Sequence, residues 1–485
     1  MIELHDPALF HEQCFFDGAW RDSADGSAIG VENPCSGETL GTVPRLTAGD
    51  MRLAIAAAQD SFSGWRSLAP AERGRFLLRW HELIMENKQD LARILTSEQG
   101  KPLAESLGEI ALGSSYVPWY AEECRRAYGD VIPPPRSGVR PVTFRQPVGV
   151  VLAITPWNFP FSMITRKAAP ALAAGCPVIV KPASATPFSA LALAELAARA
   201  GFPKGVFSVV TGASDVIAQT AAESREVRKI SFTGSTEVGR RLMEQAAVTV
   251  KRTSMELGGN APFIVFDDAD LETAVNGAFA SKMRNSGQTC ISSNRMLVQK
   301  GIASAFVEAL AERFRGVRLG DGMDPATTAG PLINEKAVGH CEALVQDAVG
   351  KGARLVLGGR RSAAGKNFFE PTILTGLTTE MRMFHEEIFG PVAPVMVFER
   401  EEEAVRLANA TQYGLASYVF TRDLSRAWRV PEALEYGLCG VNDAGLAMAE
   451  VPFGGVKASG TGREGGHEGL DDFLETRYVL MGGIS

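Results

Sequence analysis

The feature that most constrains this chain is the alternation of short apolar runs with helical segments between residues 148 and 247. "VGVVLAITPW", "CPVIVKPAS" and "GVFSVVTG" are β-branched runs bounded by Gly and Pro, with "ITRKAAPALAAG" and "SALALAELAARAG" between them. "VRKISFTGS" and "TEVGRRLMEQAA" extend the series. Such alternation predicts βαβ units and a parallel sheet, whose ligands sit beyond the carboxyl ends of the strands. A second alternating region opens near residue 261 with "APFIVFDDA", "LETAVNGAFASKMRNSG" and "NRMLVQK", so a second α/β unit is expected. Residues 48–124 read as helices, and the apolar spacing of 71–100 predicts a helix ending at Gly100. Two strand-like segments, 129–147 and 471–483, fit neither region; they form either a protruding arm that pairs with another subunit or an ordinary edge ribbon.

A length of 485 residues predicts roughly two to four domains. The net charge of −7 and the lack of a long basic run argue against nucleic acid as a partner. No stretch reaches the ~20 apolar residues a membrane span needs, and the N-terminus lacks signal-peptide character. The seven cysteines (14, 35, 124, 176, 290, 341 and 439) are dispersed without CxxC spacing. Neither a disulfide framework nor a metal site is expected, and a reducing cytoplasm is.

Several stretches carry candidate chemistry. In "FTGSTEVG" a strand gives way to a helix, so N–H groups at Gly234 and Ser235 either bind a phosphate or serve a capped turn. Lys181 ends the strand in "VIVKPAS", where it either meets a nucleotide or is a solvated charge. In "ITPWNFP" two prolines stiffen a turn around Asn158, whose amide can face a developing oxyanion or cap a loop. Glu256 precedes two glycines in "SMELGGNAPFIVF"; apolar surroundings would raise its pKa toward that of a general base, and a helix cap or surface position is the alternative. Cys290 in "RNSGQTCISSNR" has no histidine, second cysteine or carboxylate beside it. Its thiolate would be a strong nucleophile, but a lone cysteine can equally be packing.

Taken in order, "TPWNFP" (155–160), "KPAS" (181–184), "FTGSTEVG" (232–239), "MELGGN" (255–260), "GQTC" (287–290), "EEIFGP" (386–391) and "PFGGVKASGTGREGG" (452–466) resemble the aldehyde dehydrogenase superfamily. The resemblance spans the chain from about residue 14. It implies a Rossmann-like NAD(P)-binding domain (1–128 and 148–260), an α/β catalytic domain (261–440) and a small β oligomerisation arm (129–147 and 467–485). It implies that Cys290 attacks an aldehyde, that Asn158 and the Cys290 N–H hold the oxyanion, and that hydride transfer leaves a thioester which Glu256 hydrolyses. Thr155, Pro156, Trp157, Lys181, Ser184, Gly234, Ser235, Leu257, Glu387 and Phe389 would bind the cofactor. Ser184 stands where NAD-strict members carry glutamate, so NADP, or both NADP and NAD, is expected.

"MITRK" (163–167) and "SKMRNSGQTC" (281–290) are similar to the succinate-semialdehyde dehydrogenase branch. There, arginines matching Arg166 and Arg284 bind the distal carboxylate, although either could be a structural ion-pair partner here. An ω-carboxylated aldehyde, succinate semialdehyde first, is the expected small-molecule substrate. Ala447 replaces a serine of that branch, which leaves glutarate semialdehyde as a rival. Ser292 replaces a second cysteine found in some members, so no redox disulfide is expected. A homodimer or homotetramer is expected. A protein that kept the fold without the chemistry is the contrasting reading, and the joint presence of Cys290, Glu256, Asn158 and Glu387 speaks against it.

Overall fold

The computed structural model, which describes residues 2–484, divides its strands between two large sheets and two small ribbons. The first sheet runs in the order Gly460–Thr461, Arg252–Glu256, Val227–Thr233, Val150–Ile154, Val178–Lys181, Phe207–Val209, Cys14–Phe16 and Ala19–Arg21. From Arg252–Glu256 to Phe207–Val209 the strands are parallel, and the outer ones pair antiparallel. The second sheet runs Arg354–Leu357, Thr372–Thr375, Val392–Phe398, Ser293–Gln299, Ala261–Val265, Ala416–Phe420 and Leu438–Val441, parallel except at its first strand. Every residue of Val150–Ile154 and Ala261–Val265 is buried. Strands of a parallel sheet need this, because the crossover helices cover both faces.

Register places the chemistry. Ile154 pairs with Lys181 and Phe232, and Thr233 pairs with Glu256. The carboxyl ends of these four strands therefore make one continuous rim. Helix Ser162–Ala174 follows the first of them and is buried along its whole length. Its alanines let it lie close to its neighbours: a Cβ on Gly113 of helix Leu103–Glu123 would sit 2.8 Å from the Ser162 Cα.

The structure departs from the sequence reading in two places. The first 47 residues, which show no clear period, supply the strands Cys14–Phe16, Ala19–Arg21, Ala28–Glu32 and Thr39–Pro44. Two of these are only three residues long, too short for an alternating pattern to register. The helix expected over 71–100 is two helices, Pro70–Glu86 and Lys88–Gln99, broken at Asn87 (φ −104°, ψ 16°). Apolar spacing keeps its phase across the break and conceals it. Gly100 does end the second helix, at φ 93°.

Strands Val139–Pro147 and Leu474–Gly482 pair antiparallel along their whole length and expose Phe144, Tyr478 and Leu480. Among the described residues no helix is long and apolar enough to cross a membrane.

Candidate active site

Pro156 ends the first rim strand because it offers no N–H to a ladder. The Thr155 N–H still reaches Lys181 O at 3.1 Å. Two residues on, Asn158 is buried, and its Nδ2 donates to Gln288 O at 3.0 Å. One amide N–H is thereby pinned to the loop that carries Cys290, and the other is left unused. Asn158 Oδ1 has no partner among the described residues. Asn158 does not cap the helix that follows. Glu109 does so, with Oε1 accepting the N–H groups of Phe161 (3.0 Å) and Ser162 (3.1 Å).

Helix Leu271–Met283 stops one residue before Arg284, and the chain turns sharply through Asn285 (φ 50°) and Ser286 (φ 54°). Left-handed non-glycine residues need support from their surroundings. Glu105 accepts the Asn285 N–H at 2.8 Å, and Gln99 donates to Asn285 Oδ1 at 2.9 Å. Cys290 follows, half-buried. The paired glycines of "MELGGN" exist because two loops meet there. A Cβ on Gly258 would lie 2.9 Å from Glu387 Oε2, and one on Gly259 would collide with the Cys290 carbonyl oxygen.

Burial pushes the Cys290 thiol up to about 12, the carboxylates Glu387 and Glu256 add to this, and Arg166 opposes it. The resting group is a thiol and needs a base. Glu256 is a fitting one: it ends strand Arg252–Glu256, is buried, and neither carboxylate oxygen has a partner. Burial raises its pKa well above the carboxylate range, and Glu464 adds to the rise. Arg166 and Lys167 pull the other way. It is neither a helix cap nor a surface group.

Arg166 makes the ion pair that the sequence left open as its alternative role. It is buried, and its Nε (2.8 Å) and Nη2 both donate to Glu464 Oε2, while Lys167 holds Glu464 Oε1. Its guanidinium also stacks 4.2 Å from the Phe453 ring centroid. Burial works against the cation, but the Glu464 charge outweighs it and raises the Arg166 pKa. A carboxylate this deep must be paired. Arg166 is therefore engaged with the protein itself and does not line the described cavities.

A cavity of about 250 Å³ is lined by Pro156, Trp157, Gly234, Ser235, Leu257, Glu387 and Phe389, together with Cys290 and Asn158. The Trp157 and Phe389 rings meet edge-on, 5.6 Å apart. Glu387 Oε1 accepts the Gly259 N–H at 3.0 Å, and burial pushes this carboxyl up to about 7. Ser235 caps helix Thr236–Ala247, whose N-terminus can receive an anion. Lys181 and the half-buried Ser184 lie further along the rim, outside this cavity. Lys181 Nζ donates to Ser214 Oγ at 2.8 Å, and burial lowers its pKa to about 8. A carboxylate for ribose hydroxyls, a helix N-terminus for phosphate and a cation beside Ser184 are a donor set that fits a dinucleotide.

A second cavity, of about 480 Å³, is lined by Thr289, Ile291, Arg284, Tyr418 and residues 442–445. Thr289 and Ile291 are the chain neighbours of Cys290, which itself lines the first cavity. The Arg284 guanidinium makes no ion pair or hydrogen bond to any described residue, and it stacks 5.1 Å from the Phe159 ring. Thr289 Oγ1 is buried without a partner. Buried polar atoms are normally satisfied; Thr289, Asn158 and Glu256 together leave four unsatisfied around one sulfur.

Sequence reading missed Lys101, Glu109, Asn285 and Glu464 as parts of this site. Only Asn285 and Glu464 lie within quoted motifs, and nothing local marks the others. Among the described residues no cluster of three His, Cys, Asp or Glu side chains could hold a metal ion.

A family model described as "Aldehyde dehydrogenase family" matches residues 20–479. The chain is 54% identical over 484 residues to a 3-sulfolactaldehyde dehydrogenase of Pseudomonas putida, covering 100% of both. It is 52% identical over 481 residues to the succinate-semialdehyde dehydrogenase [NADP(+)] GabD of Escherichia coli (strain K12), covering 99% of this chain and 100% of that one. A crystal structure of succinate-semialdehyde dehydrogenase from Burkholderia pseudomallei superposes with a TM-score of 0.98 at 52% identity, over 99% of this chain and 100% of that one.

Proposed function

This chain belongs to the aldehyde dehydrogenase family, and from that premise we propose that it oxidises a short aldehyde with a terminal anion, using NADP or NAD. The reading rests on one observation: a half-buried thiol and the unpartnered polar atoms of Asn158 and Glu256, with Cys290 and Asn158 lining one cavity and the chain neighbours of Cys290 lining a second. Glu256 accepts the Cys290 proton, and the sulfur adds to the aldehyde carbon. The oxyanion that develops meets the free Asn158 N–H and the Cys290 backbone N–H. A preorganised pair of this kind supplies much of the barrier reduction in acyl chemistry. When bound, the nicotinamide supplies the hydride acceptor, held by Glu387 beside Trp157 and Phe389. Glu256, once that first proton has passed to solvent, takes a proton from the water that attacks the thioester, and collapse of the adduct releases the acid and returns the thiolate.

Arg284 is the anchor for the terminal anion. It is unpaired in the protein and can offer a planar fork of N–H donors. The relatives named for 3-sulfolactaldehyde and succinate semialdehyde share this chemistry, a sulfonate in one substrate and a carboxylate in the other. Succinate semialdehyde is the first candidate. With Ala447 in the place of a serine, glutarate semialdehyde and sulfonated aldehydes are the alternatives. Ser184, beside Lys181, offers no negative charge to a ribose 2′-phosphate, which supports NADP use.

We assign 1–128 and 148–260 to cofactor binding, 261–440 to catalysis, and the ribbon of 129–147 and 467–485 to association of subunits into a dimer or tetramer. A two-stranded ribbon with exposed apolar side chains is marginal alone. Seven free thiols fit a reducing cytoplasm. The test is a panel of aldehydes with and without a terminal carboxylate or sulfonate, assayed with NADP and NAD by the absorbance of the reduced nicotinamide. Faster turnover of neutral aldehydes than of anionic ones refutes the substrate class.

A further inference from the structure

We infer that Lys101 is a positioning residue for catalysis: it fixes the peptide of Asn158 and thereby aims the oxyanion-binding amide. This rests on the oxyanion role proposed for Asn158. Lys101 lies in the short link between helices Lys88–Gln99 and Leu103–Glu123 and is 1% exposed. Its Nζ donates to Asn158 O at 2.7 Å and to Glu109 Oε2 at 2.6 Å, with the Phe159 ring centroid 3.9 Å away. A second donor, Asn285 Nδ2, reaches the same carbonyl at 2.9 Å. Two donors on one carbonyl fix the peptide plane that follows Asn158, and with it the origin of the side chain.

The link does more than hold one atom. Glu109, paired to Lys101, caps the helix after Asn158 through Phe161 and Ser162. Gln99 and Glu105 hold Asn285, the left-handed residue of the nucleophile loop. Residues 99–109 thus grip both the loop that carries the oxyanion donor and the loop that carries Cys290, and Lys101 touches the first directly. A fully buried ion pair is a costly means of stabilising a fold, because well-packed apolar residues often do as well or better. Its cost is understandable where the pair sets a geometry that must hold to about 0.5 Å.

The test is a double-mutant cycle on the full-length enzyme with its aldehyde and NADP. Lys101→Met is expected to lower kcat by about tenfold to a hundredfold, toward the loss expected on removing one oxyanion donor. The NADP dissociation constant, which a general loosening of the fold would move, is expected to stay within about twofold. In an Asn158→Ala background the same Lys101→Met change is expected to cost no more than about twofold, because the group it positions is gone. Where Lys101→Met fails to fold, the shape-conserving Glu109→Gln replaces it, and its effect on kcat is likewise expected to vanish in the Asn158→Ala background. Undiminished kcat in Lys101→Met, or single losses that multiply in the double variant, overturn the inference. An Asn158→Ala enzyme with full kcat overturns the oxyanion assignment itself, a result the single variant reads separately.

Discussion

Replacing Arg284 with Met should separate anionic from neutral aldehydes. Met keeps the apolar stem and removes the guanidinium that stacks on Phe159, and with it the one cation among the described residues lining that cavity, which also holds Asp443. A hydrogen bond to a charged group contributes about 1.5–3 kcal/mol. At about 1.4 kcal/mol per factor of ten, kcat/KM for succinate semialdehyde should fall roughly 10- to 150-fold. A neutral aldehyde of the same length meets no charge at its far end, and its kcat/KM should change by no more than about twofold. The assay is initial-rate formation of reduced nicotinamide at saturating NADP for both aldehydes. Equal losses for the two would refute the reasoning, since Arg284 would then be supporting the loop that carries Cys290. No loss for either would move the anion site elsewhere.

Arg166→Met should act differently: with Glu464 left to Lys167, thermal or denaturant unfolding should report a loss of about 3 kcal/mol. The ratio of kcat/KM between the anionic and neutral aldehydes should stay unchanged. NADP affinity should be bell-shaped in pH. With Glu387 in its proposed role, the ionised carboxylate would accept ribose hydroxyls, so binding should weaken as pH falls below about 7. With Lys181 in its proposed role, the charged amine would attract the 2′-phosphate, so binding should weaken as pH rises above about 8. Titration by tryptophan fluorescence should lose the acid limb in Glu387→Gln and the alkaline limb in Lys181→Met. Gly259→Ala should displace the Cys290 carbonyl and lower kcat by about a hundredfold, with the protein still folded by circular dichroism.

Much of the cofactor side was legible because its signals are local. Thr233–Gly234–Ser235 reads as a strand giving way to a helix, and Lys181 reads as a strand end, without reference to any distant residue. The reacting centre was legible only through resemblance. Cys290, Asn158 and Glu256 are each ambiguous in their own sequence neighbourhoods, and their significance arises where rim and loop meet. Arg166 was left between two roles, substrate anchor and structural ion-pair partner. Its partner Glu464 is 298 residues away, and the pairing follows from the charge balance of a buried pocket, which no spacing encodes. Lys101 was invisible for the same reason: an exposed charge and a buried clamp look alike in "EQGKP".

The account turns on a covalent bond between Cys290 and the substrate carbon. The unmodified enzyme mixed with NADP and the semialdehyde, quenched in acid within the first turnover and mapped by peptide mass spectrometry, tests this most directly. The prediction is an acyl group on Cys290 in thioester linkage, appearing together with the first equivalent of reduced nicotinamide. A burst with an unmodified Cys290, or a Cys290→Ser enzyme that oxidises the aldehyde at the full rate, would contradict it.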